Sequence, residues 1–295
     1  MPDSLDSQLA DTRLRGWVNG LVGVIIFSGS LPMTRLALGG FDAMFITFGR
    51  AAVAGLLAIV LILVIHPPRP GLADLKGLTI TAFGVVVAFP LLMALALQHM
   101  TSARGLLFMA LLPMATAIFG VLRAGERPKP LFWAFSLMGC ACVMGFAATG
   151  NTGQGSVGDL EMIGAVVLCG LGYAEGAVLA RRYGGWQVIC WVLILSLPLC
   201  LGLSALWWPA HPHAITWAEW GAMGYVSVFS MLVGFLFWYR GMALGGIAAV
   251  GQLQLLQPFF GFILAAFMLG ETIGWPVILT TTAVVGCVAG ARKAA

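Results

Sequence analysis

The sequence predicts an all-α polytopic membrane protein of ten transmembrane helices, arranged as two inverted five-helix repeats, and three observations carry that prediction. The first is composition: 60% of the 295 residues are hydrophobic, 9% are charged and the mean hydropathy is +0.99. Soluble domains carry about a quarter charged residues, so water is not the solvent of this chain. The second is an internal repeat. Pro113 with Gly125-Glu126 recurs as Pro258 with Gly270-Glu271 at one offset of 145 residues, and Ala103, Leu111 and Ile118 repeat as Ala248, Leu256 and Ile263. Apolar helices share Leu and Ala easily, but a mid-helix proline and a terminal Gly-Glu in fixed register mark a tandem duplication. The third is the number of spans between the helix-breaking segments, which is five in each half.

A span needs about 20 apolar residues. Residues 1–15 are polar and acidic and read as a tail, with no removable signal peptide expected. Spans follow near 17–36, 43–65, 75–97, 104–122 and 131–148, then near 160–180, 186–207, 217–238, 247–269 and 275–291. Each break has a local cause. Gly39-Gly40 ends the first span, and Pro67-Pro68-Arg69-Pro70-Gly71 ends the second. Arg127-Pro128-Lys129-Pro130 separates the fourth from the fifth, and Gly184-Gly185 the sixth from the seventh. The polar stretch Gly150 to Gly158 is the expected hinge between repeats 16–149 and 158–291. A repeat with an odd number of spans re-enters the membrane in the opposite sense, which relates the halves by a pseudo-two-fold axis in the membrane plane. Gly23 and Gly29, matched by Gly164 and Gly170, agree with that division.

Orientation follows from the 15 basic residues. With the N-terminus in the cytoplasm, 12 of them lie inside, Arg35 and Arg104 lie outside, and Arg50 lies within a span. That bias predicts both termini in the cytoplasm and the loop from His211 to Glu219 outside, in a cell inner (plasma) membrane. The net charge of +4 therefore reports topology, and no nucleic-acid partner is expected.

Duplication inside a membrane points to transport. Enzyme chemistry has no organised nucleophile or metal set to work with: Gly-x-Ser-x-Gly, His-Glu-x-x-His and the phosphate-cradling Gly-x-x-x-x-Gly-Lys pattern are all missing. The six cysteines fall inside spans without a Cys-x-x-Cys pair and read as small packing residues, so neither metal nor cofactor is expected. The functional candidates are polar or aromatic groups that membrane burial makes costly. Arg50 reads chiefly as a structural residue bonded to carbonyls of a neighbouring helix, with direct substrate contact as the other reading. Glu175 could accept a substrate ammonium or a coupling proton, or simply be hydrated at a helix end near Arg181 and Arg182. Glu126 and Glu271 sit beside glycines at span ends and read as helix caps. Pro113 and Pro258 should kink their helices and free backbone carbonyls near mid-depth. Gln254 and Gln257 share a helix face just before Pro258. Phe89, Tyr173 and Tyr225 lie away from the interfacial belts, which account for Trp17, Trp186, Trp207, Trp217 and Trp238. The expected substrate site is thus a mid-membrane cavity of Phe89, Leu112, Tyr173, Glu175, Tyr225, Gln254 and Gln257.

The doubled pattern of an Ala-rich entry (Ala96-Leu97 to Ala103, Ala243-Leu244 to Ala249), a proline and Gly-Glu resembles the EamA-type branch of the drug/metabolite transporter superfamily, and Arg50 fits the same pattern. The likeness covers residues 16 to 291 and extends to amino-acid exporters, aromatic amino-acid exporters among them. It implies a basket of ten helices with spans 1, 3, 4, 6, 8 and 9 around a central cavity. It also implies a secondary transporter that exports a small metabolite such as an amino acid by alternating access, working as a monomer in lipid. Two other readings stay open: a proton-coupled multidrug or cation exporter, and a non-transporting membrane scaffold or lipid-handling protein. Trp191 stands near where Arg50 would repeat, so the halves differ in their polar roles. In a cysteine-free background, a cysteine at Asn151 or His213 is expected to react with an impermeant thiol reagent from outside the cell. Labelling only from the cytoplasmic face would overturn the inverted arrangement.

Overall fold

The computed structural model describes residues 2–100, 105, 108–148, 157–257, 259–261 and 275–294, and the elements in them are helices joined by short loops. α1 (Pro2–Ser28) breaks at Gly29 and continues as α2 (Ser30–Ala37). α3 (Ala43–Ile65) starts where the Asp42 carboxylate accepts from the Met44 N–H at 2.8 Å. It stops at His66, which takes φ 51° ahead of Pro67. α4 (Leu72–His99) follows, then α5 (Leu112–Ala124), which ends on Gly125 at φ 66°, where a residue without a Cβ is least strained. α6 (Pro130–Ala148), α7 (Val157–Tyr183) and α8 (Gly185–Leu206) come next. α9 (Trp217–Gly245) opens on a capping box between Thr216 and Glu219. α10 (Ile247–Gly251) passes into a 3-10 helix, Gln252–Leu256, and α11 (Trp275–Ala294) is the last element.

Among the described residues six helices are long and apolar enough to cross a membrane, and α5 and α6 are shorter apolar helices. Leu63, Val64, Leu160, Leu199 and Leu279 are each more than half exposed. Such a surface is stable only against hydrocarbon. The helices interleave. α1 packs on the last part of α9, α3 on α8, α4 on α7, α5 on α7 and α10, and α6 on α11. Each of these pairs joins an element before residue 149 to one after residue 156, so the core is an interface between the two parts of the chain.

Two of these crossings bring backbone against backbone. A Cβ on Gly16 would lie 2.5 Å from Gly245 N, and one on Gly241 2.6 Å from Gly20 N. A Cβ on Gly84 would lie 2.5 Å from Leu168 O and 3.2 Å from Gly172 Cα. Small residues are what lets membrane helices approach this closely. α4 and α9 also share an irregularity, a π-helical stretch at Ala82–Ala88 and another at Val226–Val233, separated by close to the offset of the sequence repeat. π turns widen a helix locally and occur preferentially at functional sites.

Several expectations are corrected. Pro113 does not kink a continuous helix. The chain turns at Ala110 and Leu111, with Leu111 N–H donating to Phe108 O at 2.9 Å, and Pro113 stands in the first turn of α5, where its missing N–H leaves nothing unpaired. Trp238 is wholly buried and belongs to the core, not to an interfacial belt. Pro258, Gly270, Glu271 and residues 150–156 of the expected hinge lie outside the described residues, and Val157 and Gly158 already belong to α7. The glycine crossings predict that Gly241→Val or Gly84→Val destabilises the protein by about 1–3 kcal/mol, because a backbone atom cannot step aside. Gly202→Ala, with nothing within 4 Å of the new methyl, should leave stability unchanged. Thermal unfolding of the detergent-purified protein measures both.

Candidate functional site

Midway along the bundle the helices enclose a cavity of about 30 Å³. α1 and α2 contribute Phe27, Ser30 and Leu31, and α3 contributes Arg50. Val85, Phe89 and Met93 come from the π segment of α4 and the turn after it. Met109 precedes α5, Tyr173 is on α7, Ser230 and Phe235 are on α9, and Gln257 follows the 3-10 helix. The lining therefore draws on α1, α2, α3, α4, α7 and α9, with Met109 from just before α5 and Gln257 from just after the 3-10 helix. Both π segments border it, one through Val85 and the other through Ser230.

The polar groups are few and specifically bonded. Ser30 Oγ and Ser230 Oγ lie 2.7 Å apart, tying the start of α2 to α9. Gln257 Nε2 donates to Phe27 O at 3.2 Å, across the break in the first span. Arg50 is 3% exposed, and among the described residues its Nε has no hydrogen-bond partner. Among the described residues, the expected bond from this nitrogen to a neighbouring helix's carbonyl is not formed. Tyr173 is the titratable side chain that bears on it. On one side an aromatic layer closes the cavity: Phe27 meets Phe235 at 5.0 Å and Trp238 at 6.1 Å, and Tyr173 meets Phe235 at 5.9 Å and Trp238 at 5.5 Å between ring centroids.

Of the residues expected in the site, Phe89, Tyr173 and Gln257 line the cavity. Leu112 is fully buried at the start of α5, where its carbonyl accepts from Thr116 Oγ1 at 2.9 Å. Gln254 is buried beside the Tyr173 hydroxyl and is not one of the residues that line the cavity. The Tyr225 hydroxyl donates to Ile26 O at 2.7 Å and pins α1 just before its break. Glu175 is 6% exposed and does not line the cavity. It is buried in an ion pair with Arg123 of α5, a partner from another span and not the neighbouring Arg181 or Arg182. Ser30, Ser230, Phe27 and Phe235 were missed, because small hydroxyls and Phe inside apolar spans carry no pattern of their own.

Beyond the aromatic layer lies an arginine-rich end. Three ion pairs meet there: Arg123 with Glu175, Arg181 with Glu126 at 2.6 Å, and Arg182 with Asp74. Asp74 also accepts from the Tyr183 hydroxyl at 2.5 Å. The second-half members are all on the last turns of α7, and their partners are all in the first half. Glu126 does more than pair. Its two oxygens accept from the Ile247 and Ala248 N–H groups at 2.8 Å each, capping α10 from another span. An open cleft of about 810 Å³ adjoins it, lined by Arg13, Trp17, Arg127, Arg181 and Arg292, with Arg292 over the Trp17 ring at 4.9 Å.

A family model for EamA-like transporters matches residues 14–147 and again residues 156–291. The chain belongs to the EamA-like transporter family. It is 57% identical over 278 residues to an uncharacterized transporter, YdeK, of Bacillus subtilis strain 168, covering 94% of this chain and 97% of that one. A probable terminal-alkyne amino-acid exporter of Streptantibioticus cattleyicolor is 21% identical over 254 residues, 84% of this chain and 83% of the relative. A protein of known crystal structure superposes with a TM-score of 0.78 at 18% identity, over 95% of this chain and 99% of that one, which is a likeness of fold. This EamA-family chain is therefore a membrane-integral transporter and not an enzyme. Glu126→Ala should remove both the cap and the Arg181 pair and cost about 1–2 kcal/mol of stability, with Glu126→Gln recovering part of it. Denaturation midpoints of the two variants compare them directly, and equal midpoints for wild type and Glu126→Ala would contradict the capping role.

Proposed function

We propose that the protein is a secondary transporter of the inner membrane that exports small organic metabolites, amino acids foremost, by alternating access between two inverted five-helix halves. The observation that carries this reading is the enclosed central cavity, bordered by both π segments and reached by helices of both halves. Its walls suit an amphipathic solute: Phe and Met side chains accept an apolar group, while Ser30, Ser230, Gln257 and Arg50 hydrogen-bond a polar one. At about 30 Å³ it holds no more than a water molecule, whereas ligand pockets span about 300–1,000 Å³. Transport on this reading requires the lining to open, first to one side and then to the other.

The ion pairs suit the role of a latch at the end carrying both termini, which the distribution of basic residues assigns to the cytoplasm. All three join the halves, so they must part when that end opens. The distant likeness to a probable amino-acid exporter supports the substrate class. One chain contains the whole cavity, which is consistent with a monomer working in lipid.

Sealed vesicles containing the purified protein should take up labelled aromatic amino acids saturably. Ser230→Trp, which fills the cavity, should reduce flux to about background while leaving the protein folded. Trp at Leu137, on the lipid-exposed side of α6, should not. Failure of wild-type protein to move any member of an amino-acid panel would reject the substrate reading, and equal flux by Ser230→Trp would reject the cavity.

A further inference from the structure

We infer that Arg50 is the carboxylate-recognition residue of the cavity, and that the transported solutes are monocarboxylates with an apolar side group whose amino group is not required. The inference rests on the transporter reading of the same cavity and adds to it the identity of the charged contact.

A guanidinium does not give up its proton under physiological conditions. Arg50 is therefore a permanent charge, 3% exposed, inside a span, and its Nε has no hydrogen-bond partner among the described residues. Holding an ionised group in that state is expensive unless an anion completes it. Its neighbours along the cavity wall are neutral: the two serines are bonded to each other, Gln257 is bonded to a backbone carbonyl, and Tyr173 carries a hydroxyl. The described residues that line the cavity thus bring one formal positive charge and no carboxylate.

That arrangement selects by charge. A carboxylate oxygen pair matches the planar donor fork of arginine, and in a site closed to water such a bond is stronger than one between neutral groups. A lipophilic cation would meet like charge, which removes the electrostatic basis for a cation exporter. An ammonium on the solute would find only hydroxyl, amide and ring acceptors, so it contributes less than the carboxylate. The apolar part of the solute then rests among Phe27, Phe89, Phe235, Met93 and Met109.

Ligand-induced thermal stabilisation of the detergent-purified full chain, measured apart from flux, tests this with four probes: L-phenylalanine, 3-phenylpropionate, L-phenylalanine methyl ester and phenethylamine. Both acids should stabilise the wild-type protein at concentrations about tenfold or more below those needed for the ester and the amine. Arg50→Lys should keep part of that preference, and Arg50→Gln should lose it while unfolding, without ligand, at a temperature no lower than that of the wild type. Should Arg50→Gln fail to fold, the acid-against-ester comparison in wild type and the Arg50→Lys variant still decide. Equal binding of acid and ester in wild type, retained preference in Arg50→Gln, or no stabilisation by either acid overturns the assignment. Vesicle flux separates the two readings: transport indifferent to the carboxylate removes Arg50 from the site but leaves a transporter, whereas Arg50-dependent acid binding without flux does the reverse.

Discussion

The crossing of α1 over α9, backbone against backbone at Gly16, Gly20, Gly241 and Gly245, sets the spacing on which the rest of the molecule depends. In hydrocarbon there is no hydrophobic gain from helix association, so packing distance decides whether helices hold together. Glycine at the contact removes the side-chain knobs that would otherwise lock one register. The same solution recurs where Gly84 of α4 meets Gly172 of α7. Between these two close crossings lies the cavity, and beside it each of the partner helices α4 and α9 carries its π segment. On the proposed alternating-access reading, a smooth contact next to a widened helix is a mechanically coherent pairing, since the contact would let the helices slide and the π segment would supply the backbone slack.

The charged residues show a division of labour that composition alone does not suggest. Arg123, Arg181 and Arg182 all count toward the basic bias from which a cytoplasmic location of the termini is expected, yet each is also half of an ion pair. Topology and closure thus draw on the same side chains. Glu126 combines a salt bridge with a helix cap, and both run from the first half to the second, to Arg181 on α7 and to the first turn of α10.

Much of this was legible in the sequence, for physical reasons. Membrane burial makes any polar or aromatic group within a span conspicuous, and that drew attention to Arg50, Phe89, Tyr173 and Gln257, all of which line the cavity. The errors came from local geometry. Leu112 was expected in the site because it precedes a proline, but the helix restarts at Leu112, so the residue turns into the core. Glu175 was weighed against its sequence neighbours, whereas its partner Arg123 lies on another helix. The bond between Ser30 and Ser230 is likewise invisible along the chain, since an intrahelical back-bond is the ordinary fate of a membrane serine, as Ser28, Ser196 and Ser227 illustrate.

On the proposed alternating-access reading, the ion pairs also constrain the order of events if the arginine-rich end opens. In each pair the acid is the less exposed partner, with Glu175 and Asp74 buried and Glu126 partly so: the side-chain exposures are 8% for Glu175, 17% for Glu126 and 7% for Asp74, against 44%, 37% and 63% for Arg123, Arg181 and Arg182. An arginine that is already partly hydrated can swing into water at little cost, as for surface pairs worth about 0–1 kcal/mol. The carboxylate left behind loses its counter-charge in a less hydrated place, which is unfavourable even where Glu126 keeps the two α10 N–H groups and Asp74 the Tyr183 hydroxyl. Separation therefore requires water to reach the acids as the arginines leave, and the open cleft beside Arg181 and Glu126 is where that water already has access. Opening should start at the Glu126–Arg181 pair, whose acid is the most exposed of the three, and reach Glu175 only after the cleft has deepened. The aromatic layer of Tyr173, Phe235 and Trp238 then separates the cleft from the cavity, and no solute passes until it parts.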